Sequence, residues 1–362
     1  MRRNWTAILG ACSCLFTAAA CASTPAQIPL VLQHVKTNRT VSPELFADLE
    51  ELSRVVDIAY CVGGFGLGIE RPFECPSRCG DFESFELVTT WNTGPLLSDS
   101  CGFIALSHAP AAPRIIIAFR GTYSMTNTIA DLSTVPQEYV PYPGDGGGDN
   151  DHDEPKCMNC TVHTGFYTSW RHTRNEILPH MLLALKKYPG YNVTLVGHSL
   201  GGAVATFAGL EMLARGMNPT ITTFGEPRIG NQALADYVDI RFGLSNNRTT
   251  TALQGQQRFR RVTHVDDPVP LLPLEEWGYV PHGGEIFISK PDLPPNIEDV
   301  HYCDGSEDPD CLTGPELEGG LWRVPTRFKL WQLFFAHRDY FWRLGLCVPL
   351  DIGYWTGHGG KE

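Results

Sequence analysis

The stretch Val193-Thr194-Leu195-Val196-Gly197-His198-Ser199-Leu200-Gly201-Gly202 decides the fold of this chain. An apolar strand runs into a Gly-x-Ser-x-Gly turn, and residues 203–215 then predict a helix rich in small side chains. In this context the Ser199 hydroxyl is exposed on a tight turn, and the first amides of the helix face the place where negative charge would develop. Side chains at the flanking glycines would collide with the neighbouring strand or helix. Ser199 is therefore the candidate nucleophile.

Short apolar runs alternate with helical patterns on both sides of this turn. Residues 115–119, 193–196, 220–224 and 261–265 predict strands, and residues 170–188 predict a helix that contains Pro179. Ser42-Pro43-Glu44 opens another helix, with a capping serine and a proline in the first turn. Apolar strands separated by helices are typical of a mostly parallel sheet covered on both faces. We expect one such domain over residues 42–350.

Composition excludes several classes of protein. The chain has 362 residues, of which 43% are hydrophobic and 19% charged, so a large core can form and a disordered acidic protein is excluded. The formal net charge is −12. That balance argues against nucleic acid as a partner and against electrostatic docking on anionic membranes. Any lipid contact has to be apolar.

The N-terminus has the pattern of a secretory signal peptide. Arg2 and Arg3 precede an apolar stretch over residues 7–20, and Ala20-Cys21-Ala22 is a small-residue cleavage signal. We expect residues 1–22 to be removed, residues 23–41 to form a flexible lead-in or propeptide, and residues 351–362 to form a polar tail. No transmembrane anchor is expected, so secretion to the extracellular space is predicted. The candidate glycosylation sites are Asn38, Asn159, Asn192 and Asn247.

A nucleophilic serine needs a histidine to take its proton and an acid to orient that histidine, in the chain order serine, acid, histidine. Asp266 and Asp267 both follow the strand at 261–265 and compete as the acid. Of the five later histidines, His337 is favoured because aromatic residues flank it, whereas His264 lies in a strand, and His282 and His301 lie in polar stretches. The fifth, His358, is in the Gly-rich tail. The oxyanion hole would use the Leu200 amide and the loop at Gly121 and Thr122.

Five segments together resemble one family. They are Ala118-Phe119-Arg120-Gly121-Thr122, Val162-His163-Thr164-Gly165-Phe166, residues 196–202, Thr223-Phe224-Gly225-Glu226-Pro227-Arg228-Ile229-Gly230-Asn231 and Arg261-Val262-Thr263-His264, with a shorter match at His337, Tyr340 and Phe341. The order and content are similar to the fungal class 3 lipases, which include triacylglycerol lipases and type A feruloyl esterases.

The resemblance implies an α/β-hydrolase fold with a lid, the triad Ser199, Asp267 and His337, and an oxyanion hole of Thr122 and Leu200. It selects Asp267 over Asp266, which stands where the family has asparagine. It also implies the disulfides Cys61–Cys347, Cys75–Cys79, Cys157–Cys160 and Cys303–Cys311. Cys101 then remains as a buried thiol or, as an alternative, an intermolecular disulfide. The lid would lie at about residues 123–136, where Met125, Ile129 and Leu132 have helical spacing.

The first functional hypothesis is a secreted carboxylic-ester hydrolase of the triacylglycerol lipase type. The alternative is a feruloyl esterase acting on plant cell-wall esters, because residues 126–128 of the lid are polar. A non-catalytic secreted binding protein is a third possibility. The partner is then a lipid or other ester, the chain a monomer, and no cofactor is expected. The acidic, Gly-rich residues 145–154 are interpreted as a solvated insertion rather than a calcium loop, so no metal is expected either.

Overall fold

The structure is a computed structural model, and it describes residues 39–63, 68–94, 99–122, 136–142, 156–244, 257–306, 308–312, 335–345 and 347. The regular helices are α1 (Pro43–Ile58), α2 (Thr164–Lys187), α3 (Leu200–Ala214) and α4 (Gln232–Phe242). The strands are β1 (Phe85–Asn92), β2 (Cys101–Ser107), β3 (Arg114–Phe119), β4 (Pro136–Glu138), β5 (Thr161–His163), β6 (Asn192–His198), β7 (Thr220–Phe224), β8 (Phe259–His264), β9 (Glu285–Ile288) and β10 (Val300–Tyr302).

Eight of these strands form one sheet in the order β1-β2-β3-β6-β7-β8-β9-β10. The five central strands from β3 to β9 run parallel, whereas β1, β2 and β10 are antiparallel to their neighbours at the two edges. The carboxyl ends of the parallel strands therefore meet at one edge of the sheet. That edge is where ligands bind in open α/β sheets. The sheet and its flanking helices have the α/β-hydrolase fold that the resemblance implies.

The sheet separates two hydrophobic cores. Along β3, Ile116 and Ala118 pack with α1 on one face, while Ile115, Ile117 and Phe119 pack with α2 and α3 on the other. This alternation follows from the two-residue period of a strand. Because both faces are covered, β3 is buried along its whole length, as the continuous apolar run at residues 115–119 predicts.

Helix α1 begins where the sequence predicts. The Ser42 hydroxyl accepts a hydrogen bond from the Leu45 amide at 3.2 Å, Pro43 occupies the first turn and Glu44 adds a negative charge there. Leu49, Leu52, Val55 and Val56 form its buried stripe. The helix ends at Ile58, and a 3₁₀ turn over Ala59–Cys61 follows.

Residues 39–41, which precede the predicted boundary at residue 42, pair with the sheet. The Val41 amide donates to the Val300 carbonyl at 3.1 Å, and the Tyr302 amide donates to the Arg39 carbonyl at 2.8 Å. Residues 39–41 therefore extend the sheet beside β10 instead of belonging to a flexible lead-in. The reason is that β10 is an edge strand, whose unpaired backbone groups offer these hydrogen bonds.

Four disulfides join the described cysteines in the pairs that the resemblance implies: Cys61–Cys347, Cys75–Cys79, Cys157–Cys160 and Cys303–Cys311. The first spans 286 residues and ties the end of α1 to the segment that follows His337. Cys101 is a free, buried cysteine, and its thiol lies 3.0 Å from Asn92 Oδ1. Within the described ranges, none of the helices has both the length and the apolar character needed to cross a bilayer.

Candidate active site

Ser199 lies on a tight turn between β6 and α3. Its φ of 58° and ψ of −130° are values that residues with a side chain rarely adopt. A Cβ at Gly197 would lie 2.2 Å from the Gly201 carbonyl oxygen, and a Cβ at Gly201 would lie 2.3 Å from the Phe119 carbonyl oxygen. Both glycines are therefore required by close backbone packing. The turn holds Ser199 at the carboxyl end of β6, which lies between the parallel strands β3 and β7.

His337 and Asp267 form a buried pair. The Nδ1 atom of His337 lies 2.9 Å and 2.8 Å from the two carboxylate oxygens of Asp267, and both side chains are fully excluded from solvent. Asp267 follows the end of β8, and His337 lies in a 3₁₀ turn over Ala336–Arg338. A carboxylate held on Nδ1 leaves Nε2 of the imidazole to act as a base.

Three neutral or cationic neighbours keep the Asp267 carboxylate ionised. Burial raises its pKa, but the charge and hydrogen bond of His337, the Tyr340 hydroxyl at 2.5 Å and the Val269 amide at 2.9 Å outweigh burial, so that the pKa is lowered overall. An ionised carboxylate at this position stabilises an imidazolium on His337.

The pair lies close to the serine turn. The Ser199 amide donates to the Phe224 carbonyl at 2.9 Å. A Cβ at the next residue, Gly225, would lie 2.8 Å from His337 Cε1 and 2.9 Å from Asp267 Oδ2. Gly225, with φ of 61°, therefore fills the narrow space between the end of β7 and the pair. The three residues that the sequence singles out are brought to one place.

Three buried polar atoms here have no hydrogen-bond partner among the residues that the structure describes: Thr122 Oγ1, Ser199 Oγ and His337 Nε2. Buried polar atoms are nearly always paired, so their grouping indicates a place for the polar atoms of a ligand. Ser199 and His337 are not hydrogen bonded to each other. In many hydrolases the hydrogen bond between serine and histidine forms only when substrate binds.

The loop after β3 lies directly against Ser199. A Cβ at Gly121 would lie 2.8 Å from Ser199 Cβ, so Gly121 allows Thr122 to approach the serine turn. Leu200 is the first residue of α3, where backbone amides have no acceptor within the helix. These two positions are the ones that the family resemblance assigns to the oxyanion hole.

The other histidines have different surroundings. His264 Nε2 lies 3.0 Å from the Lys290 carbonyl, and burial lowers the pKa of this histidine. His282 lies outside the helices and strands, as predicted, and is buried, with Nδ1 2.9 Å from the Gly283 carbonyl and Nε2 3.4 Å from Glu226. A buried carboxylate nearby explains why this polar side chain can be enclosed. His301 lies in β10, and His358 lies outside the described residues.

Sequence reasoning missed two residues that surround the pair. Tyr60, in the 3₁₀ turn after α1, hydrogen bonds to His198, the residue before the candidate nucleophile, and His198 contacts the backbone of His337. No local pattern marks Tyr60, because it lies 139 residues from Ser199 along the chain and only folding joins them. Tyr340, in contrast, stands in the His337-x-x-Tyr340 match and could have been found there.

Several predicted features lie wholly or largely outside the described residues. These are the lid at 123–136, the acidic segment at 145–154, Asn38 and Asn247. Asn159 and Asn192 are both exposed, as glycosylation requires. Within the described part of the chain, the group with metal-ligand spacing is Cys303, Asp308 and Cys311, whose sulfurs form a disulfide and whose carboxylate pairs with Arg39.

The chain is similar to known lipases in sequence and in structure. Residues 116–277 match the family described as Lipase (class 3). The chain is 51% identical over 348 residues to the secreted mono- and diacylglycerol lipase 2 of Gibberella zeae, covering 85% of this chain and 83% of the relative. It is 50% identical over 368 residues to lipase A of Sodiomyces alcalophilus, covering 90% and 88%. The crystal structure of the Lip2 lipase from Yarrowia lipolytica superposes with a TM-score of 0.72 at 30% identity, covering 85% of this chain and 97% of that one. This chain therefore belongs to the class 3 lipase family and is a serine carboxylic-ester hydrolase of the lipase type.

Proposed function

We propose that Ser199, His337 and Asp267 form the catalytic triad of this hydrolase. His337 Nε2 takes the proton of the Ser199 hydroxyl as its oxygen attacks the acyl carbonyl, and Asp267 holds Nδ1–H and stabilises the imidazolium. The tetrahedral oxyanion is stabilised by the Leu200 amide and by Thr122. His337 then gives the proton to the leaving alcohol, which leaves an acyl-serine. Water, deprotonated by His337, releases the carboxylic acid and restores Ser199.

The observation that supports this assignment most strongly is the double contact of His337 Nδ1 with Asp267 at 2.8 Å and 2.9 Å. It sets the imidazole tautomer, since the carboxylate can only accept a hydrogen bond and Nδ1 must carry the proton. Nε2 is then the basic nitrogen and has no partner among the described residues. The Ser199 hydroxyl oxygen also lacks a partner among the described residues.

We further propose that the substrates are acylglycerols. The support is the identity of 51% over most of the chain to a relative whose name gives mono- and diacylglycerols as its substrates. The triacylglycerol preference expected from the sequence stays a prediction, since the relative's name points to partial glycerides. The relatives compared above are lipases, which favours a lipid ester over a feruloylated polysaccharide.

The test compares emulsified trioleoyl-, dioleoyl- and monooleoylglycerol with methyl ferulate, using the Ser199→Ala variant as the blank. We expect fatty-acid release from at least one acylglycerol, with a rise in rate when the substrate exceeds its solubility limit. Faster turnover of methyl ferulate than of every acylglycerol would overturn the proposal. A wild-type protein that hydrolyses none of these esters and does not react with a serine-directed phosphonate would be a binding protein.

We also propose that the protein is secreted. The support is the signal-like N-terminus, the relative named as secreted and four disulfides, which persist in oxidising compartments. Expression in a fungal host should place the protein in the medium, with an N-terminus after Ala22. Retention in the cell with an intact N-terminus would contradict this. Sedimentation of the secreted protein would test the predicted monomer.

A further inference from the structure

Tyr60 and His198 form a buried hydrogen-bonded chain behind the proposed triad. The Tyr60 hydroxyl lies 2.5 Å from His198 Nδ1, and His198 Nε2 lies 2.7 Å from the main-chain carbonyl of His337. Tyr60 is 2% exposed and His198 is 1% exposed. The imidazole rings of His198 and His337 also face each other, with centroids 4.6 Å apart. A polar chain this deeply buried is costly unless every member is satisfied.

The direction of each hydrogen bond follows from chemistry. A carbonyl only accepts, so the proton of the second bond is on His198 Nε2. In a neutral imidazole Nδ1 then has a lone pair, which accepts from the Tyr60 hydroxyl. The Tyr60 hydroxyl gives its one proton to His198, so its oxygen can accept a hydrogen bond from the Gly121 amide. The chain therefore runs in one direction from Gly121 through Tyr60 and His198 to His337.

The surroundings favour these protonation states. Burial, and then the neighbouring His337, lower the pKa of His198 well below its ordinary value, so the imidazole stays neutral. Burial raises the pKa of Tyr60, against the opposing effect of Arg338 and Arg120, so the phenol keeps its proton. Asp267 and the Tyr340 ring also lie near His198, and the carboxylate only partly offsets the effect of burial.

We propose that Tyr60 and His198 are positioning residues for the reaction. This proposal rests on the proposed triad. Asp267 holds the His337 ring at Nδ1, and His198 holds the same residue at its backbone carbonyl, so that Nε2 is directed towards Ser199. Tyr60 sets the His198 tautomer that makes this second contact possible. Because Tyr60 also binds the Gly121 amide, one hydroxyl connects the loop of Thr122, the nucleophile turn and the base.

The surrounding packing supports this role. The Tyr60 ring packs against Gly345, where an added Cβ would lie 3.3 Å from the ring, and Cys61 is bonded to Cys347. The segment that contains His337 is thus joined to the end of α1 by a disulfide, a ring contact and the hydrogen-bonded chain. These contacts restrict the movement of the base relative to the serine turn.

The first test replaces Tyr60 by Phe, which keeps the ring and removes the hydroxyl. We expect kcat to fall about 10- to 100-fold, as for a small misplacement of a catalytic group, while KM changes by less than about twofold. The matched control is Tyr191→Phe, because the Tyr191 hydroxyl also pairs with a histidine, His108, at 2.7 Å and belongs to no part of the site. A Tyr60→Phe enzyme with wild-type kcat would overturn the proposal.

The second test separates the two contacts of His198. In His198→Gln the amide nitrogen is placed near the position of Nε2 and can still donate to the His337 carbonyl, whereas His198→Asn reaches only the position of Nδ1. We expect the Gln variant to retain about tenfold more kcat and faster phosphonate labelling of Ser199 than the Asn variant. Equal losses in the two variants would overturn the donor role.

Circular dichroism and melting temperature establish that each variant is folded. If both His198 variants fail to fold, the Tyr60→Phe result decides. A wrong assignment of the triad can be distinguished from a wrong positioning role, because the Ser199→Ala or His337→Ala variant would then remain active. If those variants are inactive and Tyr60→Phe keeps full kcat, only the positioning role is wrong.

Discussion

Two buried histidine–carboxylate pairs lie beside adjacent parallel strands, and they differ in how the second ring nitrogen of each histidine is used. Asp267 follows β8 and holds His337 at 2.8 Å and 2.9 Å. Glu226 follows β7 and lies 3.4 Å from His282. Both histidines are enclosed, so burial beside a carboxylate does not by itself identify a catalytic histidine.

The difference lies in the second nitrogen. His282 uses both ring nitrogens, the other one contacting the Gly283 carbonyl at 2.9 Å. Glu226 also accepts from Thr206 at 2.6 Å and Thr223 at 2.7 Å. His337 Nε2 has no such partner in the described part of the chain. A fully satisfied pair stabilises the fold, whereas an unpaired basic nitrogen beside a serine can transfer a proton.

Removal of the nucleophile has the largest expected effect. Ser199→Ala should lower kcat about 10⁶-fold, because no group then receives the acyl chain. Initial-rate assays on an acylglycerol emulsion measure it, with the exposed Ser289→Ala as the control that keeps wild-type activity. Substantial turnover by the alanine variant would refute the assignment of Ser199 and with it the contrast between the two pairs.

Changing the acid of the proposed catalytic pair is expected to be the next largest effect. Asp267→Asn should reduce kcat about 10⁴-fold, because an amide can donate to Nδ1 and so favours the wrong imidazole tautomer. The measurement is kcat of the folded variant, checked by its melting temperature. A loss of less than about tenfold would show that His337 needs no acid at this position.

The Cys61–Cys347 disulfide is expected to stabilise the position of the His337–Asp267 pair more than that of the His282–Glu226 pair. Replacing both cysteines by serine should lower the free energy of unfolding by about 2–5 kcal/mol, since the bond closes a very long loop. Activity should be lost at a lower temperature than the main unfolding transition, because the bond holds the segment of His337. The control is the double serine variant of Cys157 and Cys160, separated by three residues. Simultaneous loss of activity and fold in both variants would contradict this local effect.

A change in the second pair that keeps the shape of the side chain should affect stability and hardly affect turnover. Glu226→Gln introduces an amide that cannot accept from Thr206, Thr223 and His282 together, so the free energy of unfolding should fall by about 1–3 kcal/mol. We expect kcat to stay within about threefold of wild type. Urea denaturation and initial rates measure the two quantities. A loss of kcat as large as that of Asp267→Asn would erase the distinction between the pairs.

The smallest expected effect is a change of the free energy of unfolding with pH that is caused by the ionisation of Asp267. Its pKa in the folded protein is lowered from 3.8. The stabilisation is therefore present above the unfolded pKa and is lost as the pH falls through the folded pKa. Denaturation of wild type and Asp267→Asn between about pH 2 and pH 5 should show a shallower acid loss in the variant. Identical slopes would mean that the carboxylate is not stabilised by its neighbours.

Local patterns were sufficient for the centre of the fold. The strands at 115–119 and 220–224 and the turn at Ser199 depend on short apolar runs and on glycines that close packing requires. Local patterns did not predict β1, β2, β9 and β10, and residues 39–41, which precede the predicted boundary at residue 42, pair with the sheet. Two of these strands, β1 and β10, are at the edges of the sheet, so their pairing depends on one neighbouring strand rather than on their own sequence.

By itself, the sequence determined the family and the candidate nucleophile, since these depend on residue types at short spacing. Only the tertiary structure decided which histidine has a free nitrogen and that Tyr60 lies behind His198. It also decided that His282 is enclosed with Glu226. The physical reason is that hydrogen-bond partners and burial are set by contacts between residues far apart in the chain, which no local pattern records.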